Sequence, residues 1–308
     1  MIAVVVVGFA INSFGLQGGL ERVTKVMMIA LLAIMVVLAI NSIRTPGSGE
    51  GLRFYLIPDF GRMAETGIAD VVVGAMNQAF FTLSLGIGAM AIFGSYIGKG
   101  RALMGEAVNV AVLDTFVAFT AGLIIFPACF AFNVSPDSGP NLIFVTLPNI
   151  FNHMAGGRLW GSLFFVFMAF AAFSTVLAVF ENIMSCCMDL TGWSRRKTAT
   201  INIVLMILLS LPCVLGFNVW SGFQPFGPGS NVLDLEDFLV SNLWLPLGSL
   251  VYLLFCTSRY GWGWEKFKAE ANEGGGLKVR DGIRFYVSYI LPIIVLVIFV
   301  LGIKDKFF

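Results

Sequence analysis

Apolar residues dominate this sequence in long continuous runs. A helix needs about 20 consecutive apolar residues to cross a hydrocarbon core of about 30 Å. A short run at residues 2–14 and seven longer runs predict one partial and about seven full transmembrane helices. The seven full candidates are residues 24–43, 67–96, 102–131, 158–189, 197–216, 239–258 and 284–303. The pattern therefore predicts an all-α integral membrane protein in which residues 1–308 form a single membrane domain.

Composition and the placement of charge support this prediction. Hydrophobic residues make up 58% of the chain and charged residues only 12%, whereas a soluble domain carries about 25% charged residues. The predicted loops alternate in basic content, and thirteen of the 19 Lys and Arg residues fall on one side. These thirteen are Arg22, Lys25, Lys99, Arg101, Arg195, Arg196, Lys197, Arg259, Lys266, Lys268, Lys278, Arg280 and Arg284. Because short cytoplasmic loops hold the Lys/Arg excess, we expect a multi-pass protein of the cell inner (plasma) membrane with its carboxy terminus outside.

The sequence lacks the features that usually mark several other classes of protein. The net charge of +1 gives no basic patch for nucleic acid. The five cysteines show neither metal-site nor disulfide spacing, and His153 is the only histidine. An intramembrane enzyme would need a nucleophile paired with a base, and the spans offer no such pair. We therefore expect no enzyme activity and no organic cofactor.

Two connections between the spans have distinctive compositions. The external loop at 132–157 contains a stretch at 141–151 whose apolar residues are too few to cross a membrane. They are enough for a short helix that packs back onto the protein. The cytoplasmic loop near Gly274-Gly275-Gly276 predicts a flexible connection.

The candidate span at 67–96 contains a sequence that weakens a helix at its middle. It is long for a perpendicular helix, and Gly86 and Gly88 lie near the expected midplane. Backbone groups freed at this depth are tolerated only where they line a cavity or are buried in protein. Two interpretations are open: a broken helix that forms a binding site, or a glycine pair that permits close helix packing.

Polar side chains occur inside other apolar spans. Asp114 lies near the middle of span 102–131 with no basic residue in the same helix. A lone carboxylate there needs a cation or a proton, so it favours ion binding over a protonated structural role. Hydroxyl oxygens of Thr82, Ser174 and Thr175 are ligands of the kind that hard cations require, although such groups commonly bond to their own helix. Glu181 lies nearer the cytoplasmic end of its span and favours a structural hydrogen-bonding role.

These motifs together resemble a known family of transporters. The run from Gln78 to Gly88, QAFFTLSLGIG, resembles the signature of the sixth, unwound helix of neurotransmitter:sodium symporters. Residues 19–25 (GLERVTK), 55–60 (YLIPDF) and 144–148 (FVTLP) are similar to the family segments before helix five, before helix six and in the fourth extracellular loop. The resemblance extends over essentially the whole chain, from the end of family helix four through helix eleven.

The resemblance implies a LeuT-like inverted-repeat transporter fold that is amino-terminally truncated. Residues 1–43 would end the first inverted repeat, residues 67–258 would form the second, and residues 284–303 would form an additional helix. Family helices one to three would be absent, and with them part of each ion site. We therefore expect the chain to be incomplete and inactive alone, with a missing amino-terminal fragment as a partner.

The resemblance also implies ion ligands. Thr82 and Asp114 match positions that ligate the first sodium ion in the family. The Ala171 carbonyl and the hydroxyls of Ser174 and Thr175 match the second sodium site. Na⁺ is thus expected as the transported ion.

Other positions match the family's substrate pocket and gate. The side chains implied in the pocket wall are Phe81, Ser84, Ile87 and Val179. Backbone from Leu83 to Gly86 would face the amino acid, and Thr82 adjoins it. Asp237 resembles the acidic residue of the outer gate.

Two functions follow from these expectations. The first is sodium-coupled symport of a neutral, hydrophobic L-amino acid by alternating access, in which the partners are the lipid bilayer, the amino acid and Na⁺. The alternative is a nontransporting membrane scaffold or partner-dependent subunit that keeps the site residues only by inheritance. Co-expression with a fragment carrying helices one to three would discriminate between them.

Overall fold

The helices begin and end close to the limits that the hydrophobic pattern predicts. The computed structural model describes residues 1–15, 19–134 and 142–307. Its α-helices are α1 (Ile2–Ser13), α2 (Glu21–Arg44), α3 (Ser48–Leu56), α4 (Phe60–Thr66), α5 (Ile68–Thr82), α6 (Ala89–Ser95), α7 (Leu103–Ala131), α8 (Leu147–His153), α9 (Gly157–Thr191), α10 (Arg195–Gly216), α11 (Val232–Phe238), α12 (Leu245–Thr257), α13 (Trp264–Ala271) and α14 (Leu291–Phe307). Single π-helical turns lead into three of them, at Leu142–Thr146, Leu239–Trp244 and Tyr286–Ile290. The all-α prediction is confirmed for the part of the chain that the structure describes.

Among the described residues, six helical stretches of 22 to 35 residues are long and apolar enough to cross a membrane. They are Glu21–Arg44, Leu103–Ala131, Gly157–Thr191, Arg195–Gly216, Val232–Thr257 and Asp281–Lys304. The predicted span at 67–96 is present as two shorter helices, α5 and α6, with a break between them. Together with the short α1, these elements agree with seven full spans and one partial span.

The chain folds into two compact units. The first unit consists of Met1–Val6, Gly61–Val112 and Glu181–Phe308. The second unit consists of Val7–Phe60 and Leu113–Phe180. The long helices α7 and α9 each contribute one part to each unit.

The core of the second unit is formed by α2, α7, α8 and α9. Leu31, Met35, Cys129 and Phe164 are all at most 2% exposed there. Lipid tails are as apolar as these side chains, so their close packing stabilises the unit through van der Waals contact more than through exclusion of water.

The short helix predicted in the loop at 132–157 is confirmed as α8. Leu147 and Ile150 are each 1% exposed and belong to the core of the second unit. Residues 135–141, which include the first residue of the predicted stretch, lie outside the described residues. The helix therefore packs back onto the protein, as its limited apolar length requires.

The core of the first unit joins α5, α12 and α14. Phe80 from α5, Leu245 from α12, and Val295 and Ile298 from α14 are buried against one another. This cluster fixes the end of α5 immediately before the break.

The glycine run at Gly274-Gly275-Gly276 is ordered by backbone hydrogen bonds, which corrects the expectation of a flexible connection. The Gly275 N–H donates to the Gly100 carbonyl at 3.1 Å, and the Ala102 N–H donates to the Gly275 carbonyl at 2.9 Å. Lys99 Nζ lies 3.2 Å from Glu273 Oε2, and this hydrogen-bonded carboxylate raises the pKa of the lysine. A side chain at Gly274 would block this approach, because a Cβ there would lie 2.5 Å from the Arg101 nitrogen.

A pair of glycines in α3 tests the packing of the second unit. A Cβ at Gly51 would lie 2.5 Å from the Phe126 carbonyl oxygen and 2.7 Å from the Pro127 Cα, whereas a Cβ at Gly49 would meet nothing within 4 Å. We expect Gly51→Ala to lower the free energy of unfolding by about 1–3 kcal/mol through overpacking. Gly49→Ala should leave it unchanged or raise it by up to about 1 kcal/mol through helix propensity. Thermal unfolding in detergent micelles measures both, and equal melting temperatures for the two variants would contradict the contact.

Candidate functional site

The helix break lies where the sequence predicts it. α5 ends at Thr82 and α6 begins at Ala89. Three residues between them have positive φ: Ser84 at 51°, Gly86 at 87° and Gly88 at 82°. Glycine adopts this conformation at no steric cost, whereas a serine there is uncommon and strained. The predicted interruption is confirmed, and it contains or adjoins six of the predicted substrate-site residues: Phe81, Thr82, Leu83, Ser84, Gly86 and Ile87.

Part of the freed backbone is satisfied locally. The Leu85 N–H donates to the Phe80 carbonyl at 2.9 Å, and the Ser84 N–H donates to the Phe81 carbonyl at 3.0 Å. These bonds close the end of α5 in a tight turn. Unsatisfied backbone groups would be costly at membrane depth, so such turns make the break tolerable.

Close contact with α12 fixes the position of the break. A Cβ at Gly86 would overlap the Leu245 carbonyl oxygen and would lie 2.8 Å from the Ser249 nitrogen. Reciprocally, a Cβ at Gly248 would overlap the Gly86 carbonyl oxygen. Gly86 and Gly248 therefore allow backbone to touch backbone. The break that the first interpretation required exists, and Gly86 is also a close-packing point, as the second required. That the break forms a binding site stays a prediction.

Asn182 forms a hydrogen bond with the unwound segment, a role that the sequence pattern did not reveal. This residue of α9 is 7% exposed, and its Nδ2 donates to the Ile87 carbonyl at 3.4 Å. An asparagine within a long apolar helix was the available signal, because such a group needs a partner inside the protein. The hydrogen bond connects α9 directly to the unwound segment.

Glu181 forms the centre of a buried polar cluster. Its side chain is 0% exposed and is ion-paired through Oε2 with Arg195 of α10. Tyr96 Oη donates to Glu181 Oε1 at 3.1 Å and lies 2.5 Å from Ser185 Oγ. A buried carboxylate requires such pairing, so the hydrogen-bonding role predicted for Glu181 is confirmed. Tyr96 and Arg195 are partners that the sequence pattern alone did not identify.

The three residues predicted for the second sodium site lie together on one turn of α9. Ser174 Oγ donates to the Ala171 carbonyl at 2.9 Å, and Thr175 Oγ1 donates to the same carbonyl at 3.1 Å. Two hydroxyls and one carbonyl thus present three oxygens within a single helical turn. Neutral oxygens of this kind are ligands that a hard cation accepts.

The remaining predicted residues lie on three separate helices. Asp114 is half-buried on α7 and Val179 is half-buried on α9, both in the second unit. Asp237 lies on α11 in the first unit and accepts a hydrogen bond from Ser241 Oγ at 3.0 Å. α11 begins with a capping box between Asn231 and Asp234, which fixes where the helix that carries Asp237 starts.

Comparison with known proteins identifies the family. The profile described as "Sodium:neurotransmitter symporter family" matches residues 1–306. This chain belongs to that family. The members of the symporter family are sodium-coupled transporters and not enzymes, so the resemblance drawn from the unwound-helix motif is confirmed.

Individual relatives agree with this family assignment. The chain is 30% identical over 300 residues to a sodium-dependent transporter of Haemophilus influenzae, covering 96% of this chain and 63% of that protein. It is 32% identical over 287 residues to the sodium-dependent transporter YhdH of Bacillus subtilis, covering 92% and 62% respectively. The chain therefore spans less than two thirds of the length of these relatives.

A solved structure confirms the LeuT-like fold. The crystal structure of MhsT in complex with L-phenylalanine superposes with a TM-score of 0.84 at 36% sequence identity. The match covers 97% of this chain and 66% of that one. At this identity the likeness supports the fold of the symporter family over nearly the whole chain.

Gly86 is the residue at which the geometry of the break is most easily tested. Gly86→Ala would place a methyl group against α12 and would hold an L-residue at a positive φ. We expect a loss of about 2–4 kcal/mol in the free energy of unfolding. Gly74→Ala in α5 is the matched control, because a Cβ there would meet nothing within 4 Å. Melting temperatures in detergent measure the difference, and two variants of equal stability would argue against the contact.

Proposed function

We propose that this chain carries the substrate-binding break and a sodium-binding turn of a symporter that couples Na⁺ entry to uptake of a neutral, hydrophobic L-amino acid by alternating access. The observation that carries the proposal is the break itself. Its backbone turns through positive φ at Ser84, Gly86 and Gly88 within an apolar span. Unwound backbone supplies peptide dipoles that an ion or a zwitterion can bind.

The proposed substrate class rests on apolar candidates beside the break. Phe81 and Ile87 adjoin the unwound backbone, and Val179 is proposed as a further wall residue by resemblance to the family. The related transporter MhsT was crystallised in complex with L-phenylalanine, which is an amino acid of this chemical class. Leu83 to Gly86 are proposed to bind the amino and carboxylate groups, because a charged group in an apolar site needs hydrogen-bonding partners.

The proposed sodium ligands are oxygen atoms. Ala171, Ser174 and Thr175 supply one carbonyl and two hydroxyls from a single turn. Thr82 and Asp114 are proposed as ligands of the first sodium ion by resemblance, and Asp237 as a residue of the outer gate. In this arrangement Na⁺ is cargo, and the Asp114 carboxylate balances its charge.

We also propose the location and topology of the chain. The apolar helices and the excess of Lys and Arg in alternate loops support a multi-pass protein of the plasma membrane. The same rule places the carboxy terminus outside. Fusion of a reporter that is active on only one side of the membrane to the carboxy terminus would measure this directly.

Uptake measurements test the transport proposal. The chain is co-expressed with a separately encoded amino-terminal third of the Haemophilus influenzae relative, purified as a complex and reconstituted into vesicles. We expect uptake of labelled L-phenylalanine that requires an inward Na⁺ gradient and is absent with the chain alone. A complex that assembles but shows no Na⁺-dependent uptake would favour the nontransporting scaffold, and uptake by the chain alone would show that no partner is needed.

Ser174 provides a matched test of the sodium-binding turn. Ser174→Ala removes one proposed ligand, so we expect the Na⁺ concentration for half-maximal uptake to rise by about tenfold, the effect of about 1.4 kcal/mol. Ser162→Ala is the control, because Ser162 Oγ also donates to a carbonyl of α9, that of Arg158, at 2.7 Å. The sodium dependence of initial uptake rates measures both variants. An equal change in both would show that the effect is structural.

A further inference from the structure

An apolar cavity lies beside the break, entirely within the first unit. Its volume is about 430 Å³, which falls within the range of about 300–1,000 Å³ typical of small-molecule sites. The break and α5 form one wall, α12 forms a second, and the start of α14 forms a third. The side chains that define these walls include Met76, Phe80, Leu253, Leu291 and Val295.

One buried polar atom in this cavity has no partner. Ser249 of α12 lines the cavity and is 9% exposed, and its Oγ makes no hydrogen bond within the described part of the chain. Ser162 and Ser210 behave differently, because each donates at 2.7 Å to a carbonyl one turn earlier in its own helix. An unsatisfied hydroxyl in an apolar cavity is costly, so it indicates a missing hydrogen-bonding partner.

The chemistry of the walls restricts the ligand. None of the residues described around the cavity has a charged side chain, so the side chains of the walls offer no ionic partner to a zwitterionic amino acid. A hydrocarbon chain alone would fill the volume but would leave Ser249 Oγ unpaired. A mainly apolar molecule with one hydrogen-bonding oxygen satisfies both conditions.

The cavity also touches the segment that forms the break. Ser84, Gly86 and Gly88 are wall residues, and Tyr252 Oη lies 2.9 Å from where a Cβ at Gly88 would be. An occupant would therefore contact the unwound backbone on one side and α12 and α14 on the others. Such a molecule would favour whichever arrangement of the break gives it the most contact.

We propose that this cavity is a binding site for an apolar molecule that carries a single hydroxyl group, such as a medium-chain alcohol or an alkylphenol. The hydroxyl hydrogen-bonds to Ser249 Oγ, and the apolar body packs between the break, α12 and α14. The cavity shares Ser84 and Gly86 with the proposed amino-acid site, but its ligand is of a different chemical class. Its test is a binding measurement, so its outcome does not depend on whether the chain transports.

Photolabelling of the purified full chain in lipid nanodiscs tests the proposal. The probe is 1-decanol with a diazirine in its alkyl chain, and adducts are located by peptide mass spectrometry. Unlabelled 1-decanol and decane compete with it at matched mole fractions in the membrane. We expect adducts on wall residues such as Leu253 and Val295, and protection by 1-decanol about threefold to tenfold stronger than by decane, the size of one hydrogen bond.

Three variants identify the source of this preference. In Ser249→Ala, 1-decanol and decane should protect about equally, while adducts persist. Ser288→Ala is the matched control: Ser288 Oγ is also buried without a partner among the described residues, but Ser288 does not line the cavity. This variant should keep the full preference. Leu253→Trp, which fills the cavity, should remove the adducts at Val295.

Specific results would overturn the proposal. Equal protection by 1-decanol and decane in the unmodified chain would show a site for lipid acyl chains instead. Adducts confined to residues outside the cavity would show that no such site exists. These two readouts need no variant, so they stand even where Ser249→Ala fails to fold, which its melting temperature would reveal.

Discussion

Backbone polar groups that leave an α-helix inside a membrane must find partners within the protein, and this constraint determines how the break between α5 and α6 is built. The Leu85 N–H and the Ile87 carbonyl illustrate the two solutions. The first bonds back to Phe80 in the preceding helix, and the second accepts from Asn182 on another helix. Because each unsatisfied group would cost several kcal/mol in lipid, the surrounding helices are required by the break rather than merely adjacent to it.

The same constraint explains why polar residues cluster in otherwise apolar helices. Glu181 is fully buried, yet it is paired with Arg195 and hydrogen-bonded to Tyr96. Asn182, the next residue, contacts the break. Adjacent residues of α9 thus serve two tasks: one neutralises a buried charge, and the other supports unwound backbone.

Much of the fold was predictable because lipid imposes a simple length rule on apolar helices. The limits of α2, α7 and α10 follow from run length and flanking charge. Gly86 and Gly88 in a long span allowed either a break or close helix packing, and the resemblance of residues 78–88 to the family's unwound helix favoured the break. The partners of Glu181 were not predictable in this way, since Tyr96 and Arg195 approach it through tertiary packing. The ordered Gly275 loop was also missed, because a glycine run predicts flexibility unless its backbone finds hydrogen-bonding partners elsewhere, here at Gly100 and Ala102. For the candidate site, residue types indicated oxygen ligands, but only the structure shows Ser174 and Thr175 sharing the Ala171 carbonyl.

The meeting of Gly86 with Gly248 contains no side chain from either residue. Its geometry is therefore independent of which side chains occupy the neighbouring positions, including Phe81 and Ile87. Sequence change at those two positions can alter the proposed pocket wall while the crossing of the two segments is preserved. The proposed recognition residues and the glycines that set the backbone crossing are thus different residues, so the first can diverge among related proteins while the second are kept.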